Sequence, residues 1–249
     1  MEQILAGWAV IAIVATVLAK LPTWWERMRQ RQIRKWAAHH GWTVTEQPVV
    51  DWTTQLPGRH QYGVSLLVSG LCGNRQVNVG EYSFTSRGSL AANMAMQASA
   101  NNQGARDSYV THHLLVTAVL LDAPYPALSV QPAFSRLDRA MLGEKVATLV
   151  TIAGTFGDNI AAPLGDNNVV ATTGDDAFDR QFRIHTREPD AVKTVIGPEL
   201  IAEHLTGRIP AWNVADNTLV TWQSGSIKDP RSIPKLAAPL LRVANLLGH

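Results

Sequence analysis

The first forty residues divide into segments by the spacing of their apolar and charged positions. Residues 4–19 carry no charged side chain, and the run reaches 18 residues at Leu21 if Lys20 snorkels to the surface. At about 1.5 Å per residue this gives about 27 Å of helix, close to the thickness of a bilayer core. The pattern predicts an uncleaved transmembrane anchor at residues 1–22. A secretory signal peptide and a buried core helix are the less favoured alternatives, since this end lacks a basic n-region and a good cleavage site.

The apolar run is followed by two tryptophans and then by a basic stretch. Residues 20–35 contain six Lys or Arg and one acid, Glu26, whereas the other flank carries only Glu2. Tryptophan favours headgroup depth, and basic flanks stay in the cytoplasm. We therefore expect a single-pass plasma-membrane protein with its N-terminus outside, contacting membrane lipids and not nucleic acid. The predicted membrane-interface residues are Lys20, Trp24, Trp25, Arg27, Arg29, Arg31, Arg34 and Lys35.

A juxtamembrane helix is predicted at residues 23–41. Apolar and aromatic side chains recur there at near-helical spacing, and Gly41 is a natural residue for the end of a helix. Two interpretations stay open for this amphipathic helix, which can lie on the leaflet or pack on the domain that follows.

Beyond Gly41 the pattern changes to the alternation of β-strands, and helical spacing returns near the end. Two insertions interrupt the strands, a polar one at 87–108 that we expect to be mobile and another at 137–174. The order predicts a cytoplasmic α+β domain at 42–249, a mostly antiparallel sheet with helices packed on one face. The predicted strands are 42–47, 63–71, 74–86, 109–121, 127–133 and 179–186, with a turn at Ala123-Pro124 between the fourth and the fifth, and they are followed by a hairpin that turns at 215–217. The predicted helices are 190–196, 198–205 and 229–248, the last kinked at Pro239.

Composition fits an anchored globular domain. The chain has 249 residues, 46% of them hydrophobic, and a net charge of +2. That charge comes from the basic stretch, because residues 36–249 hold 16 Lys or Arg against 18 Asp or Glu. Cys72 is the single cysteine and no N-x-S/T acceptor occurs, both in keeping with a cytoplasmic domain.

Candidate chemistry is scarce. The chain has no Walker loop, GxGxxG, GxSxG, HExxH or CxxC motif. Cys72 is more simply a buried inert thiol than a nucleophile, and the strand neighbours His112 and His113 face opposite sides and cannot share a metal. We predict no catalytic residue, no cofactor and no metal, and so no enzyme. A solvated turn is expected for the acidic group Asp166, Asp175, Asp176 and Asp179.

The chain resembles a group of actinobacterial single-pass membrane proteins with a cytoplasmic domain of unassigned chemistry. The resemblance implies an accessory role beside an exporter of cell-envelope lipid, trehalose monomycolate, and it transfers no catalytic residue. The two insertions depart from the shorter pattern of that group. The matching segments are RKWAAHHGW (34–42), GEYSFTS (80–86), FDRQFRIHTREPDAV (178–192), IGPELIAEHL (196–205), the Trp-containing hairpin and the Pro-rich helix.

Three functions remain open. The favoured one is a non-catalytic accessory or scaffold protein tethered beside an integral membrane partner such as a lipid exporter. The second is a lipid- or small-ligand-binding domain, which requires a cavity lined by residues such as Leu115, Val119 and Leu240. The third is an enzyme, which requires a cleft that gathers Cys72 or a histidine with carboxylates of shifted pKa.

Overall fold

The computed structural model describes residues 24–56, 60–87, 109–133 and 168–248. The predicted anchor, Lys20 and most of both insertions lie outside these residues. Within them, no helix is both long enough and apolar enough to cross a bilayer. The helices are α1 (24–39), α2 (Asp176–Gln181), α3 (Val192–Val195), α4 (Pro198–Leu205) and α5 (Ile233–Leu246), and the strands are β1 (Thr43–Glu46), β2 (His60–Cys72), β3 (Arg75–Arg87), β4 (Tyr109–Pro132), β5 (Val169–Ala171), β6 (Phe182–Thr186) and β7 (Trp212–Ser224).

The seven strands form one sheet in the order β1-β2-β3-β4-β6-β5, with β7 paired to β4. All pairs are antiparallel, which confirms the predicted mixed fold dominated by an antiparallel sheet. Strand β4 is central because it spans 24 residues. Its first half pairs with β3 and its last residues pair with β6, while β7 follows it on the other side.

Two turns predicted from the sequence are absent, and one shared bend replaces them. Strand β4 runs through Ala123-Pro124, and β7 runs through 215–217, so neither chain segment reverses. The two turn signals face each other, because Tyr125 pairs with Asp216 at a register shift. Asp216 has φ of 53°, a left-handed conformation that Asp tolerates. Two register shifts interrupt the ladder here, and β4 contains the extra residues, because Leu120 pairs with Thr218 and Leu128 with Val214.

The predicted strand at 179–186 is shorter than expected. Asp175 caps helix α2 by accepting hydrogen bonds from the backbone N–H groups of Ala177 and Phe178, each at 2.9 Å. The capped helix continues to Gln181, so β6 begins only at Phe182. Strand β5, in turn, lies inside the stretch that was predicted to be an insertion.

The sheet buries apolar side chains on both faces. Helices α1, α3, α4 and α5 cover one face, and their fully buried residues include Ile33, Val192, Leu200 and Leu240. The 3-10 turn Asp51–Gln55 and the residues beside it lie on the other face, where Trp52 and Leu56 pack with Tyr82 and Phe84. The chain therefore has α-helices on one face, as predicted, and a short turn over part of the second.

Helix α1 ends where the chain turns onto the sheet. Gly41 has φ of 73°, and the N–H of Trp42 donates to the carbonyl of Ala37 at 2.8 Å. The Trp42 ring then lies directly on Gly70 of β2. A Cβ atom at Gly70 would lie 2.1 Å from Cδ2 of that ring. Only glycine permits this close approach, which fixes the direction of α1 against the sheet.

Candidate functional site around Arg29

Helix α1 has a buried face and an exposed face. Ile33 and Ala37 are 0% and 1% exposed against the sheet. The first turn of the helix leaves aromatic side chains in solvent instead, with Trp24 55% and Trp25 68% exposed. Their rings pack edge to face, with ring centroids 6.2 Å apart. This helix therefore fixes itself to the sheet by one face and presents tryptophan on the other.

Arg29 is the charged residue of α1 that turns inward, and it joins three parts of the fold. Its Nε and Nη2 donate to the Glu26 carboxylate at 2.9 and 2.5 Å. Its Nη2 also donates to Glu81 of β3 at 2.9 Å, and Nη1 contacts the other Glu81 oxygen. Nη1 donates further to the carbonyl of Ile227 at 2.9 Å, in the segment between β7 and α5. These five hydrogen bonds use all five N–H groups of the guanidinium.

The cluster of Glu26, Arg29 and Glu81 is partly buried and carries one negative charge. The Arg29 and Glu81 side chains are 19% and 12% exposed, and Glu26 is 47% exposed. Hydrogen bonding to Glu81 raises the pKa of Arg29 above its usual value, and hydrogen bonding from Arg29 lowers the pKa of Glu26. Both shifts favour the charged forms of Arg29 and Glu26. The backbone N–H of Ile227 adds a 2.7 Å hydrogen bond to Glu81.

A polar cavity lies on one side of this cluster. Its volume is about 390 Å³, and it is open to solvent. The residues with polar side chains that line it, besides the three of the cluster, are Ser65, Tyr82, Ser83, His113 and Ser226. The hydroxyl of Ser65 is used within the fold, because it donates to the carbonyl of Glu81 at 3.2 Å.

An apolar groove lies on the other side of the same cluster. Its volume is about 480 Å³, and Trp24, Trp25 and Met28 form its apolar wall. Glu26 and Arg29 separate it from the polar cavity, since both residues line both spaces. Lys228, just after Ile227, also lines the groove. We call this space the tryptophan groove.

The structure separates the predicted membrane-interface residues into two groups. Trp24, Trp25, Arg27, Arg31 and Lys35 are exposed on α1, as a surface contact requires. In contrast, Arg29 is engaged inside the fold, and Arg34 forms an ion pair with Glu46 of β1. Sequence periodicity could not separate the two groups, because their partners on β1 and β3 are distant in the chain.

A second polar contact between helix and sheet was missed in the sequence. His204 of α4 is 1% exposed and lies among the rings of Phe178, Phe182 and Trp212. The indole N–H of Trp212 donates to its Nε2 at 2.8 Å. Burial lowers the pKa of His204 to about 4, so the ring is neutral. The available signal was its position four residues after Leu200, on the buried face of the helix.

The other residues that the sequence offered as candidates for chemistry pack or form hydrogen bonds within the fold. Burial raises the pKa of the Cys72 thiol, which opposes a role as nucleophile. His112 stacks on Phe84 on one face of the sheet while His113 lines the polar cavity on the other, as strand alternation predicts. The Asp179 carboxylate accepts hydrogen bonds from Thr173 and Gly174 instead of remaining solvated. Within the described ranges, no three His, Cys, Asp or Glu side chains converge to hold a metal ion.

The apolar cavity anticipated under the C-terminal helix is filled by packing. Leu115, Val119 and Leu240 are 5%, 0% and 0% exposed and belong to one continuous core. The polar cavity and the tryptophan groove instead lie beside α1.

Comparison with known proteins gives one structural likeness. No protein-family model and no curated protein matches this chain. Among solved structures, it is similar to the crystal structure of the mycobacterial trehalose monomycolate transport factor A, TtfA, with 10% sequence identity and a TM-score of 0.43. The likeness covers 87% of this chain and 90% of that chain. The functional assignment therefore rests on the residues of this chain.

Proposed function

We propose that this protein is a non-catalytic accessory protein, anchored in the plasma membrane by residues 1–22 with its folded domain on the cytoplasmic side. The observation that supports it is the double role of α1. Its first turn exposes Trp24 and Trp25 immediately after the proposed span, while its inner face is held by the sheet. Such a helix would hold the whole domain in one orientation against the leaflet.

The exposed charges of α1 agree with that orientation. Arg27, Arg31 and Lys35 are exposed on the same helix as the two tryptophans. Each basic residue near an anionic leaflet adds about 1 kcal/mol of attraction, and indole rings favour headgroup depth. The Arg29 cluster would then prevent the domain from swinging away from the helix, because it joins α1 to both β3 and the segment before α5.

The partner in this proposal is an integral membrane protein, and an exporter of cell-envelope lipid is the kind implied by the sequence resemblance. A domain held at fixed height and angle can contact the cytoplasmic surface of such a partner repeatedly at low entropic cost. We infer a scaffold role over a catalytic one because the Arg29 cluster uses its charged groups in intramolecular contacts.

The first test determines the orientation of the full chain in its own membrane. Alkaline phosphatase and a fluorescent protein are fused separately after His249, because the first is active only outside the cell and the second matures inside. The proposal predicts a fluorescent fusion in the membrane fraction and an inactive phosphatase. An active phosphatase fusion, or a fully soluble chain, contradicts it.

The second test measures which surface contacts the membrane. A photo-crosslinking amino acid replaces Trp25 in one variant and Leu71 in a control, since both side chains are 68% exposed. Crosslinks to lipid or to an integral membrane protein are expected from position 25 and not from position 71. Equal crosslinking from the two positions contradicts the proposed orientation of α1.

A further inference from the structure

The tryptophan groove lies where a lipid headgroup would be found. Its wall begins at Trp24, two residues after the proposed span at 1–22, and it includes Met28 one turn later. A helix rises about 5.4 Å per turn, so these side chains lie within one turn or two of the bilayer surface. This step rests on the proposed function, because it takes the anchor as given.

The groove has one cation that is free to bind a ligand. Arg29 cannot serve, because its five N–H groups are already used by Glu26, Glu81 and Ile227. Lys228 is exposed and lines the groove, and it has no ion pair within the described residues. An ammonium group with three donors binds a phosphate oxygen well.

The groove also has one open negative charge. Glu26 and Glu81 each accept three hydrogen bonds, Glu81 from Arg29 and the Ile227 N–H, and Glu26 from Arg29 and the Gln30 side-chain amide. Glu81 is only 12% exposed, whereas Glu26 is 47% exposed and lines the groove, so the carboxylate of Glu26 is the one that a ligand in the groove can reach. The cluster to which both belong has one excess negative charge. The faces of Trp24 and Trp25 beside it would add attraction for a cation. The groove thus presents a positive end and a negative end.

We propose that the tryptophan groove binds the headgroup of one zwitterionic phospholipid that carries a primary ammonium, a phosphoethanolamine lipid. Lys228 holds the phosphate, Glu26 accepts a hydrogen bond from the ammonium, and the first carbons of the acyl chains contact Trp24, Trp25 and Met28. A phosphocholine head has no N–H to donate to Glu26. A phosphoglycerol head supplies no cation and meets the negative charge of the cluster.

The test uses the full chain, purified in mild detergent and exchanged into nanodiscs with equal parts of phosphatidylethanolamine, phosphatidylcholine and phosphatidylglycerol. Lipid retained after gentle release is counted by native mass spectrometry. We expect one lipid per chain, with ethanolamine lipid enriched about fivefold over each of the others, as one or two charge-assisted hydrogen bonds provide. Lys228→Gln should lower the retention of all three lipids, because it removes the contact to the phosphate that they share, whereas the matched control Lys193→Gln, at an exposed lysine on α3, should leave retention unchanged. Glu26→Gln should remove the enrichment, because Glu26 is the group that contacts the ammonium.

Other results overturn the inference. Equal retention of the three lipids by the unchanged chain, retention that Lys228→Gln leaves intact, or enrichment that Glu26→Gln leaves intact rules out the groove as the site. Preference for phosphatidylglycerol means that the cations of α1 act as a general anionic surface contact. If no lipid is retained while the fusion after His249 still fluoresces in the membrane, this inference fails and the proposed function stands. An active phosphatase fusion instead removes the proposed function itself.

Discussion

Two of the polar contacts that join helix to sheet are opposite in character. The Arg29 cluster joins α1 to β3 with charged groups, five guanidinium hydrogen bonds and side chains that are 12% to 47% exposed. The His204–Trp212 contact joins α4 to β7 with two neutral rings, one hydrogen bond of 2.8 Å and no appreciable solvent access. The first borders two open cavities, and the second lies among phenylalanine rings.

The Arg29 cluster and the His204–Trp212 contact therefore respond differently to solvent, pH and substitution. A charged cluster at the solvent-exposed edge of a fold stays partly hydrated and can orient a ligand beside it. Its stabilising effect depends on both charged partners, because removal of one leaves the other charge unpaired. A neutral buried imidazole needs little solvation and packs like an aromatic residue, but it resists protonation. The comparison leads to four expected outcomes.

We expect the largest change in the free energy of unfolding when the pH is lowered through the titration range of His204. Its pKa of about 4 in the folded protein lies below the ordinary value of 6.5. The unfolded chain therefore binds more protons between these values, so the stabilisation is complete above pH 6.5 and is lost as the pH falls towards 4. The loss should be about 3 kcal/mol for a shift of this size. Denaturant midpoints of the full chain in detergent, followed by near-UV circular dichroism, measure it.

His204→Gln keeps an acceptor for the Trp212 N–H and removes the titrating ring, so it should flatten most of this pH dependence. A smaller slope of the free energy of unfolding against pH should remain, because burial also lowers the pKa values of His112 and His185. The exposed residue His39 supplies the control, and His39→Gln should keep the full slope. An unchanged slope in His204→Gln would show that other groups dominate acid unfolding.

Loss of the charged cluster should have the next largest effect. Arg29→Met leaves the Glu81 carboxylate 12% exposed with the Ile227 N–H as its remaining partner. We expect a loss of about 2.5 kcal/mol, since an uncompensated, partly buried charge is costly. Arg29→Met with Glu81→Gln should recover at least half of it. Additive losses in the double variant would mean that the two side chains do not interact energetically.

The apolar contact between Trp42 and Gly70 provides a reference for the stability effects of the two polar contacts. Gly70→Ala places a Cβ atom 2.1 Å from the Trp42 ring, which must move. Overpacking of this kind costs about 1 to 3 kcal/mol, and the better strand propensity of Ala offsets part of it, so we expect about 1.5 kcal/mol. The loss should not change with pH between 5 and 8 or with salt. A neutral result would show that the Trp42 ring has room to shift.

The smallest effect is expected at the second ion pair of α1. Arg34 and Glu46 are 53% and 54% exposed, so water and salt screen their attraction. Arg34→Gln should change the free energy of unfolding by less than about 0.5 kcal/mol. A loss above about 1 kcal/mol in the same denaturation assay would show that an exposed ion pair can stabilise this fold as much as a partly buried one.

The sequence alone determined the kinds of elements and much of their order. The hairpin of β2 and β3, the helix at Pro198–Leu205 and the end of α1 at Gly41 follow from local signals that act within a few residues. Local signals failed at the shared bend, where Ala123-Pro124 and Asp216 were interpreted as two turns. Only the pairing of β4 with β7 reveals that both segments continue as strands.

The candidate site also depends on contacts that local sequence patterns do not reveal. A basic, tryptophan-containing helix was evident from the chain, yet its periodicity could not show which cations remain exposed. Tertiary structure decided that Arg29 meets Glu81, 52 residues away, and Ile227, 198 residues away, while Lys228 stays exposed beside the groove. Electrostatic partners act through space over a few ångströms, whereas sequence patterns report only neighbours along one helix or strand, so the selection of partners had to await the folded sheet.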